Sequence, residues 1–341
     1  MTILEPRQRV GLRHLSRLTD DRGILEHAQY EHPRFEHGYC ADDNARLLVV
    51  AARDNGENPD SVLLARIAAR FLIDALRNDG QIHNRMSFDR MWIDAPSTDD
   101  CWGRAVWSFG TAVSQSSDAE LRSTCYEAFG VAVQTRSDFL RSMCFALLGA
   151  AEIVKVDHTH EGATALLADG VAMFAFHPNG HGSWVWPEKR LTYANAVIPE
   201  AMMAVGDALG YVPLIRRGAF LLQWLIRQET AGDHLSVTPV GGRGPGDVKP
   251  GFDQQPIEVA AIADAASRAS AITGDDYWEE VIDLAVNWFL GNNDVGLCMI
   301  NADTGGGYDG LRPSSVNLNQ GAESTLAMIS TMQHRSSMWL V

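Results

Sequence analysis

The stretch His37-Gly-Tyr-Cys-Ala-Asp-Asp-Asn-Ala-Arg46, which continues into Leu47-Leu-Val-Val-Ala-Ala-Arg53, decides the fold. It opens with polar and aromatic residues and continues as a helical run that is small and apolar on almost every face. A helix that is apolar all round is buried, because it has no polar face to present to water. Its first turn carries unpaired backbone N–H groups and the positive end of the helix dipole, and it therefore lies at the mouth of an enclosed space. Asp42 and Asp43 stand at that mouth.

The same pattern recurs along the rest of the chain. Further buried helices are predicted near residues 102–113, 139–153, 194–209, 256–269 and 321–332. Amphipathic helices, each with one apolar stripe and charged residues on the opposite face, are predicted at 7–18, 61–77, 119–134, 162–174, 212–228 and 277–290. A period of roughly 40–65 residues is typical of a repeat architecture.

Six alternating helix pairs predict a single all-α domain over residues 1–341, an (α/α)6 toroid of six inner and six outer helices. An open helical solenoid is the alternative. The long, aromatic-rich connections favour closure, because all of them precede inner helices and so lie on one rim; they are 24–40, 78–98, 177–193, 230–255 and 291–318. Two alternating segments within them, Gln81–Phe88 and Gly182–Trp186, predict small β-hairpins.

Composition excludes several classes of protein. The chain has 341 residues, of which 46% are hydrophobic, and its formal charge of −15 disfavours a nucleic-acid surface, because phosphate contacts need clustered Lys and Arg. No apolar run approaches the roughly 20 residues of a membrane span, and the N-terminus lacks the apolar core of a signal peptide. The five cysteines have no Cys-x-x-Cys spacing, which predicts free thiols and a cytoplasmic location.

The sequence predicts no metal and no other cofactor. His158, His160, His177 and His181 lack further ligands at a suitable spacing. The glycine-rich segments 241–246 and 305–307 do not stand between a strand and a helix with a following Lys-Ser/Thr, so they predict rim loops rather than phosphate-binding loops.

Polar residues cluster at the predicted entrances of the inner helices. Each set alone is typical of a helix cap, but six sets on one rim predict a funnel for a polyhydroxylated ligand. The sets are Asp42/Asp43, Asp99/Asp100, Ser137/Asp138, Tyr193/Asn195, Asp253/Gln254/Gln255 and Asn317/Asn319/Gln320. The candidate aromatic platforms for a sugar face, for which loop packing is the alternative, are Tyr39, Trp92, Trp184, Trp186 and Tyr308.

Two carboxylate pairs are each followed by an arginine, which in a helix can reach back toward them. The two sets are Asp42/Asp43 with Arg46, and Asp99/Asp100 with Arg104. The arginine would keep one carboxylate ionised while like charge raises the pKa of its neighbour, as a proton donor beside a base requires. The alternative is a buried ion pair that links two inner helices. Three glutamates are expected to face the cavity from the far side: Glu200, Glu258 and Glu323.

Four motifs resemble a bacterial domain that is often fused to, or encoded beside, retaining glycosyltransferases and mannoside phosphorylases. They are His37-Gly-Tyr-Cys-Ala-Asp-Asp-Asn-Ala-Arg46, Phe252-Asp-Gln-Gln-Pro-Ile-Glu258, Gly306-Gly-Tyr-Asp-Gly310 and Asn319-Gln-Gly-Ala-Glu-Ser324. Over nearly its whole length the chain is identified as a member of the six-hairpin glycosidase superfamily, which includes inverting glycoside hydrolases, unsaturated-uronide hydrolases and sugar epimerases. In its α-mannanase branch two consecutive aspartates are catalytic; the pairs here are similar, although the surrounding residues differ. The motifs add His37 and Asp309 to the substrate-binding candidates.

These observations predict an enzyme that acts on an oligosaccharide or glycoside, with a mannoside as the substrate and a glycosyltransferase as the partner that the resemblance implies. The expected reaction is glycoside hydrolysis, whose inverting form needs an acid and a base about 6.5–9.5 Å apart. Facing inner helices supply such a gap, with Asp43 and Asp100 as the first candidates, Glu258 opposite them, and Arg46 and Arg104 as substrate-binding residues.

Two other functions are kept as alternatives. A sugar epimerase of this fold would use histidines on the inner helices to move a proton, and the predicted inner helices carry none. A non-catalytic glycan-binding partner of a glycosyltransferase would keep the aromatic and amide residues but would not need paired carboxylates.

Overall fold

A computed structural model describes residues 11–176, 180 and 182–335. Within these ranges the chain forms twelve α-helices. In chain order they are α1 (Arg13–Leu18), α2 (Ala41–Asp54), α3 (Ser61–Ala75), α4 (Asp100–Gln115), α5 (Ala119–Ala132), α6 (Leu140–Val156), α7 (Glu161–Phe176), α8 (Val197–Ala208), α9 (Val212–Glu229), α10 (Pro256–Thr273), α11 (Tyr277–Phe289) and α12 (Ala322–Gln333). Each corresponds to a predicted helix, although residues 7–10 of the first lie outside the described residues.

The even-numbered helices form a closed inner ring. Each packs against the next, in the order α2, α4, α6, α8, α10 and α12, and α12 packs back against α2. The outer helices α3, α5, α7, α9 and α11 each pack on the inner helix that precedes them, and α1 packs on α12. This arrangement confirms the predicted (α/α)6 toroid and excludes the open solenoid. It also places α2 opposite α8 across the axis, and α4 opposite α10.

The inner helices are buried because they have almost no polar face. In α4 thirteen of the sixteen residues, Cys101–Val113, are buried, whereas the outer helix α3 buries eight of its fifteen. Glycines bring α4 and α6 into backbone contact: a Cβ on Gly110 would lie 2.2 Å from the Gly149 carbonyl oxygen, and one on Gly103 would lie 2.1 Å from that of Ser142. No other residue fits there without moving one helix.

Five short antiparallel strand pairs lie in the described loops. They are β1 (Ala28–Gln29) with β2 (His32–Pro33), β3 (Tyr39–Cys40) with β4 (Arg85–Met86), β5 (Thr230–Ala231) with β6 (His234–Leu235), β7 (Ile300–Asn301) with β8 (Gly306–Gly307), and β9 (Gly310–Leu311) with β10 (Val316–Asn317). A 3-10 helix covers Phe35–His37. The β3–β4 pair ties the connection before α4 to the entrance of α2.

Both predicted hairpins are wrong in detail. Within Gln81–Phe88, β4 pairs with β3 of a different loop, and the local turn closes further along, through a bridge between Met86 and Trp92. Gly182–Trp186 forms no strand; its tryptophans pack on Trp224 instead, with ring centroids 5.1 Å away for Trp184 and 6.0 Å for Trp186. The alternating apolar residues of this segment predicted a pair of hydrogen-bonded strands, but in the structure they serve aromatic packing.

Two other predictions concern the membrane and the thiols. Among the described residues no helix combines the length and the apolar content needed to cross a bilayer. All five cysteines are free, with Cys298 exposed and the other four buried. His177 and His181, which were set aside as metal ligands, lie outside the described residues.

Candidate active site

Hydrogen bonds join the N-terminal ends of four neighbouring inner helices, α12, α2, α4 and α6, along the barrel mouth. Arg46 of α2 contacts Glu323 of α12, and Arg104 of α4 contacts Asp42 of α2. The Ser142 hydroxyl of α6 donates to the Asp99 carbonyl at the start of α4. The predicted entrance residues of these helices therefore lie on one rim.

Arg104 is the centre of the first cluster. Its Nη1 donates to Asp42 at 2.6 Å, and its Nη2 lies 3.5 Å from Asp100. The guanidinium stacks on Phe145, 4.7 Å from the ring centroid, and burial together with the neighbouring Asp100 carboxylate raises the pKa of the Tyr193 hydroxyl. Two carboxylates from two helices thus share one buried guanidinium at the mouth.

The second cluster surrounds Arg46. Its Nη1 donates to Asp43 at 2.6 Å and its Nη2 to Glu323 at 2.7 Å. The other oxygen of Asp43 accepts from the Cys40 thiol at 3.2 Å. Asp43 is 2% exposed, so its carboxyl group lies behind the mouth rather than in it.

Neighbouring Asp42 and Asp43 differ in pKa. Burial raises the pKa of Asp43 to about 6, against the pull of Arg46. Burial also opposes ionisation of Asp42, but the charges of Arg104 and Arg46 outweigh it, so the pKa of Asp42 lies below its usual value. A split was expected within this pair, but the arginine that holds Asp42 comes from α4, not from its own helix. The contact agrees with the helix-linking interpretation, and the proton-transfer role of the pair stays a prediction.

Glu258, expected to stand opposite these aspartates, is held by a loop. Its carboxylate accepts hydrogen bonds from the Ala194 and Asn195 backbone N–H groups and, at 2.9 Å, from the Asn195 side chain. Ala194 has a φ of +43°, a region that alanine rarely adopts. Burial nevertheless raises the pKa of Glu258 to about 8. The structure thus places Glu258 on the helix facing α4, but engaged with the backbone that leads into α8.

A small axial cavity of about 50 Å³ opens below the mouth. All six inner helices line it, and most of its wall is apolar. The Trp107 and Phe145 rings, 5.6 Å apart, form one side. Its polar lining comes only from Arg46 and Arg104 near the mouth and from three groups deeper down, Glu200, Asp264 and Ser330.

Ion pairs close the far end of the cavity. Arg268 donates to Glu200 at 3.0 Å and to Glu152 at 3.3 Å, linking α10 to α8 and α6. Arg53 donates to Asp264 at 2.7 Å, which links α2 to α10. Burial raises the pKa of Glu200 to about 7, although Arg268 lowers it.

His334 and Ser330 complete this floor from α12. The His334 Nε2 lies 2.6 Å from Asp264, and the Ser330 hydroxyl donates to Asp264 at 3.1 Å. Burial alone would raise the pKa of Asp264. The positive charge of Arg53 and the contact with His334 outweigh burial and hold that pKa well below its usual value. Of the residues at this floor, sequence analysis named only Glu200. Asp264, Arg53 and Arg268 could have been found as charged side chains among the apolar residues of the inner helices.

Arg141, another residue that sequence analysis missed, organises the loop before α8. It pairs with both Glu188 oxygens, at 2.9 and 2.8 Å, and donates to the Tyr193 carbonyl at 2.6 Å. Its guanidinium lies 4.8 Å from the centroid of the Tyr193 ring. Tyr193 is thereby held against Asp100 at the mouth.

The predicted aromatic platforms mostly pack inside loops. Tyr39 and Trp186 are each 1% exposed, and the Tyr39 hydroxyl donates to Asp20. Trp92 stacks on His83 and Trp184 donates to the Glu188 carbonyl. Tyr308 is partly buried against the core. Loop packing was the stated alternative, and it describes these five residues.

Several of the remaining predicted binding residues make hydrogen bonds that hold the rim loops in place. Gln254 is fully buried and donates to Asp294 at 2.6 Å, and Gln320 accepts from the Thr304 hydroxyl. Asp309 accepts from the Gly321 N–H and from Ser324, at the start of α12. Four more keep polar atoms near the rim: Asn319, which accepts from the Tyr30 N–H; Asp253, 3.7 Å from Arg312; and Gln255 and Asp99, the residues that precede α10 and α4.

Two exposed histidines lie beside the mouth. The rings of His27 and His37 make an edge contact, with centroids 4.8 Å apart. The charge of His27 acts on Asp309, whose pKa burial raises. Histidine chemistry is therefore present at the rim, although the inner helices themselves contain none.

One group among the described residues has the composition of a metal site. Ligand atoms of Glu26, Cys40 and Asp43 lie within 4.8 Å of one another. Their carboxylates already accept from Arg85 and Arg46, and the Cys40 thiol donates to Asp43. These groups satisfy one another, so the arrangement does not call for a cation.

No protein-family profile matches the chain, and no curated protein sequence matches it. Solved structures do. The cellobiose 2-epimerase from Bacillus thermoamylovorans superposes with a TM-score of 0.69 at 11% identity, over 95% of this chain and 96% of that one. A D-mannose isomerase gives 0.65 at 10% identity, over 95% and 94%. The cellulase Cel9M from C. cellulolyticum, in complex with cellobiose, gives 0.64 at 8% identity, over 93% and 88%.

At such low identities these similarities establish the fold. They extend over nearly the full length of each protein and include both sugar isomerases and a glycoside hydrolase. The chain has the (α/α)6 barrel fold, and these solved structures share it.

Proposed function

We propose that this chain is a carbohydrate-active enzyme whose site is the barrel mouth and the axial cavity below it. A concave site with mostly apolar walls and a few convergent polar groups is typical of small-molecule binding. The titratable groups facing it have pKa values shifted in opposite directions, which is typical of acid–base chemistry. Structures of the same fold that act on sugars support the substrate class.

The proposed reaction is hydrolysis of a glycosidic bond. One observation carries it: Asp42 and Asp100 share Arg104 at the mouth, while Glu200, whose pKa is about 7, lines the cavity from the opposite helix. An ionised aspartate at the mouth would activate water, and protonated Glu200 would donate a proton to the leaving oxygen. Inverting hydrolysis needs carboxyl groups on opposite sides of the bond, about 6.5–9.5 Å apart. Asp43 then influences the mouth only indirectly, through its ion pair with Arg46.

A sugar epimerase or isomerase is the second candidate. The similarity to structures supports it better than it supports a hydrolase, because a 2-epimerase and a mannose isomerase superpose over 94–96% of each chain. The contact between His27 and His37 also provides proton-transfer groups at the rim. Against it, both rings lie outside the axial cavity and none of its lining residues is a histidine.

One experiment separates the two reactions. The protein is incubated in heavy water with α- and β-linked manno- and gluco-oligosaccharides, and the mixture is followed by proton NMR. Hydrolysis produces new reducing ends of a single anomer and leaves carbon-bound hydrogens in place. Epimerisation leaves the glycosidic bond intact and replaces the hydrogen at C2 with deuterium.

A third outcome is binding without conversion, and it would indicate a non-catalytic glycan-binding protein. Association with a glycosyltransferase remains a prediction from the sequence resemblance, and co-purification of a glycosyltransferase with this chain from its host cells would test it. The mannoside preference is tested by the same panel, because it contains both sugar configurations.

A further inference from the structure

Asn84 joins the connection that precedes α4 to the entrance of α2. Its side-chain oxygen accepts from the backbone N–H of Ala41 at 3.1 Å and from that of Asp42 at 3.4 Å. Cys40, the residue that precedes α2, makes no side-chain capping bond of its own. The first turn of α2, whose N–H groups have no partners within the helix, is therefore capped by a residue from another part of the chain.

The amide nitrogen of the same side chain faces the carboxylate of Asp42. The Asn84 Nδ2 donates to Oδ2 of Asp42 at 3.1 Å, while Arg104 donates to Oδ1 at 2.6 Å. Burial opposes ionisation of Asp42, but the charges of Arg104 and Arg46 and the hydrogen bonds from Arg104 and Asn84 outweigh it, so the pKa lies below its usual value. Each oxygen of this carboxylate is thus held by a donor from outside α2.

Asparagine is suited to this position by its chemistry. A backbone N–H can only donate and an ionised carboxylate can only accept, so the residue between them needs an acceptor and a donor on one short side chain. Aspartate in place of Asn84 would still accept from the N–H groups, but it would bring a second negative charge to Asp42. Alanine would offer neither an acceptor nor a donor.

The backbone of Asn84 is itself fixed. Its N–H donates to the Asp94 carboxylate at 2.6 Å, and its carbonyl oxygen accepts from the Ala41 N–H at 2.8 Å. The preceding residue, His83, has its Nδ1 3.0 Å from the Asp94 carbonyl oxygen, and its ring stacks on Trp92. The direction of the Asn84 side chain toward Asp42 is therefore set by the protein alone.

The charged and titratable groups around Asp42 come from α2, α4, β3 and β4. They are Arg46 of α2, Arg104, Asp100 and Cys101 of α4, Cys40 of β3 and Arg85 of β4. The arginines favour the ionised form of Asp42, and Asp100 shares Arg104 with it. Asn84 differs from all these groups because it is uncharged, so it binds the carboxylate without changing the net charge of the mouth.

We propose that Asn84 is a positioning residue for Asp42, which holds the carboxylate at the barrel mouth in one orientation and favours its ionised form through a hydrogen bond. This inference rests on the proposed function for the catalytic use of that carboxylate. The contact itself is tested separately, by a stability measurement that needs no substrate.

The stability test exchanges the two side chains. Urea unfolding at pH 7 is measured for Asn84→Asp, for Asp42→Asn and for the variant that carries both substitutions. In the double variant the donating amide and the accepting carboxylate have changed places, so the fall in the urea midpoint should be smaller than the sum of the two single falls. Falls that simply add would overturn the inference. The same cycle is run with Asn84→Ala, which introduces no charge and replaces Asn84→Asp should the latter not fold.

Asn301→Asp is the matched control for the stability test. The Asn301 side-chain oxygen accepts from the backbone N–H groups of Asp303 at 3.0 Å and Thr304 at 3.4 Å, as the Asn84 oxygen accepts at the start of α2. Asn301 lies in β7, on the connection that precedes α12. Combined with Asp42→Asn, its effect on the midpoint should add. Equal coupling in this control would overturn the inference, because charge alone would then explain the effect.

The positioning role is tested by the pH dependence of turnover on the glycoside that the wild-type protein converts. A second carboxylate beside Asp42 raises the pH at which the pair takes up a proton, so Asn84→Asp should lose activity on the acid side. We expect its kcat to be about tenfold lower at pH 4.5 than at pH 6, whereas the wild type keeps a similar kcat at both values. KM should change less than kcat, because the hydrogen bond is to Asp42 and not to substrate.

The two measurements separate this inference from the proposed function. A folded Asn84→Asp protein with the wild-type pH profile, or with kcat lowered equally at both pH values, would overturn the positioning role. Turnover without coupling between Asn84 and Asp42 would leave hydrolysis standing and overturn the role of Asn84. Coupling in a protein that converts no glycoside would support the hold of Asn84 on Asp42 and refute the proposed hydrolysis.

Discussion

Arg104 of α4 donates to Asp42 of α2 at 2.6 Å, so the arginine of the second aspartate-pair motif holds the first aspartate of the other motif. The two motifs are thus one structural unit, in which an inter-helix ion pair also sets the protonation state of a carboxylate at the mouth. Inter-helix packing and the pKa of Asp42 are therefore coupled at this contact.

Removing the shared guanidinium should therefore destabilise the barrel. Arg104→Gln leaves Asp42 and Asp100 as neighbouring negative charges without their cation, and loss of one partner of a buried pair costs about 3–5 kcal/mol. Urea unfolding measures this loss. The matched control is Arg66→Gln, which removes an exposed ion pair with Asp118 on the outer helices and should unfold like the wild type. Equal stability of the two variants would contradict the inter-helix role of Arg104.

The close approach of α4 and α6 should be sensitive to a single methyl group. In Gly110→Ala the new Cβ would lie 2.2 Å from the Gly149 carbonyl oxygen, so the helices must separate, at a cost of roughly 1–3 kcal/mol. In Gly130→Ala, on the outer helix α5, the Cβ meets nothing within 4 Å, and the helix gains up to about 1 kcal/mol. Thermal unfolding of both variants measures the contrast. A stabilised Gly110→Ala protein would refute the packing.

The helical framework could be predicted from the sequence because it depends on local patterns. Apolar residues at Leu47–Ala52 predict burial of α2 whatever lies beside it, and six such assignments define the inner ring. The hairpins could not be predicted, since Met86 pairs with Tyr39 of another loop. Alternation at Trp184 and Trp186 reflects aromatic packing, which has the same spacing as a strand.

The candidate site was predicted less completely, because its contacts join residues far apart in the chain. The entrance position of Asp42 follows from its helix, but its pairing with Arg104 follows only from ring closure. The floor needs Arg53, Arg268 and Asp264, whose partners across the barrel lie on other helices and cannot be assigned from the sequence alone. Glu258 was expected at the open site, but a loop backbone occupies its carboxylate.

The cysteine state gives a prediction about reactivity. Native protein should react rapidly with a thiol reagent at Cys298 only, because it is exposed while burial raises the pKa of Cys101 and of Cys125 to about 12. Denatured, unreduced protein should show five thiols. Cys298→Ser should abolish the fast phase. A single thiol after denaturation would show that the others form disulfides.

Glu200 should make stability depend on pH. Its pKa is 4.5 in the unfolded chain and about 7 when folded, so the folded state binds the extra proton between those values. Stability therefore falls as pH rises through that window, by about 3 kcal/mol relative to a Glu200→Gln variant, which has no proton to lose. Urea unfolding of both proteins at pH 4.5 and pH 8 measures the difference. Parallel pH profiles would show that Glu200 titrates normally.

The most direct test of the acid–base role is the turnover of Asp42→Asn on the glycoside that the wild-type protein converts, with the melting temperature measured on the same preparation. Asparagine still accepts a hydrogen bond from Arg104 but cannot take a proton, so kcat/KM should fall by at least about 100-fold. The melting temperature should fall less than in Arg104→Gln, because Asp100 still pairs with the guanidinium. Asp100→Asn extends the comparison to the other mouth carboxylate, and Asp43→Asn extends it to the buried carboxyl group behind the mouth. Turnover near the wild-type level in a folded Asp42→Asn protein would contradict catalysis by the carboxylates at the barrel mouth.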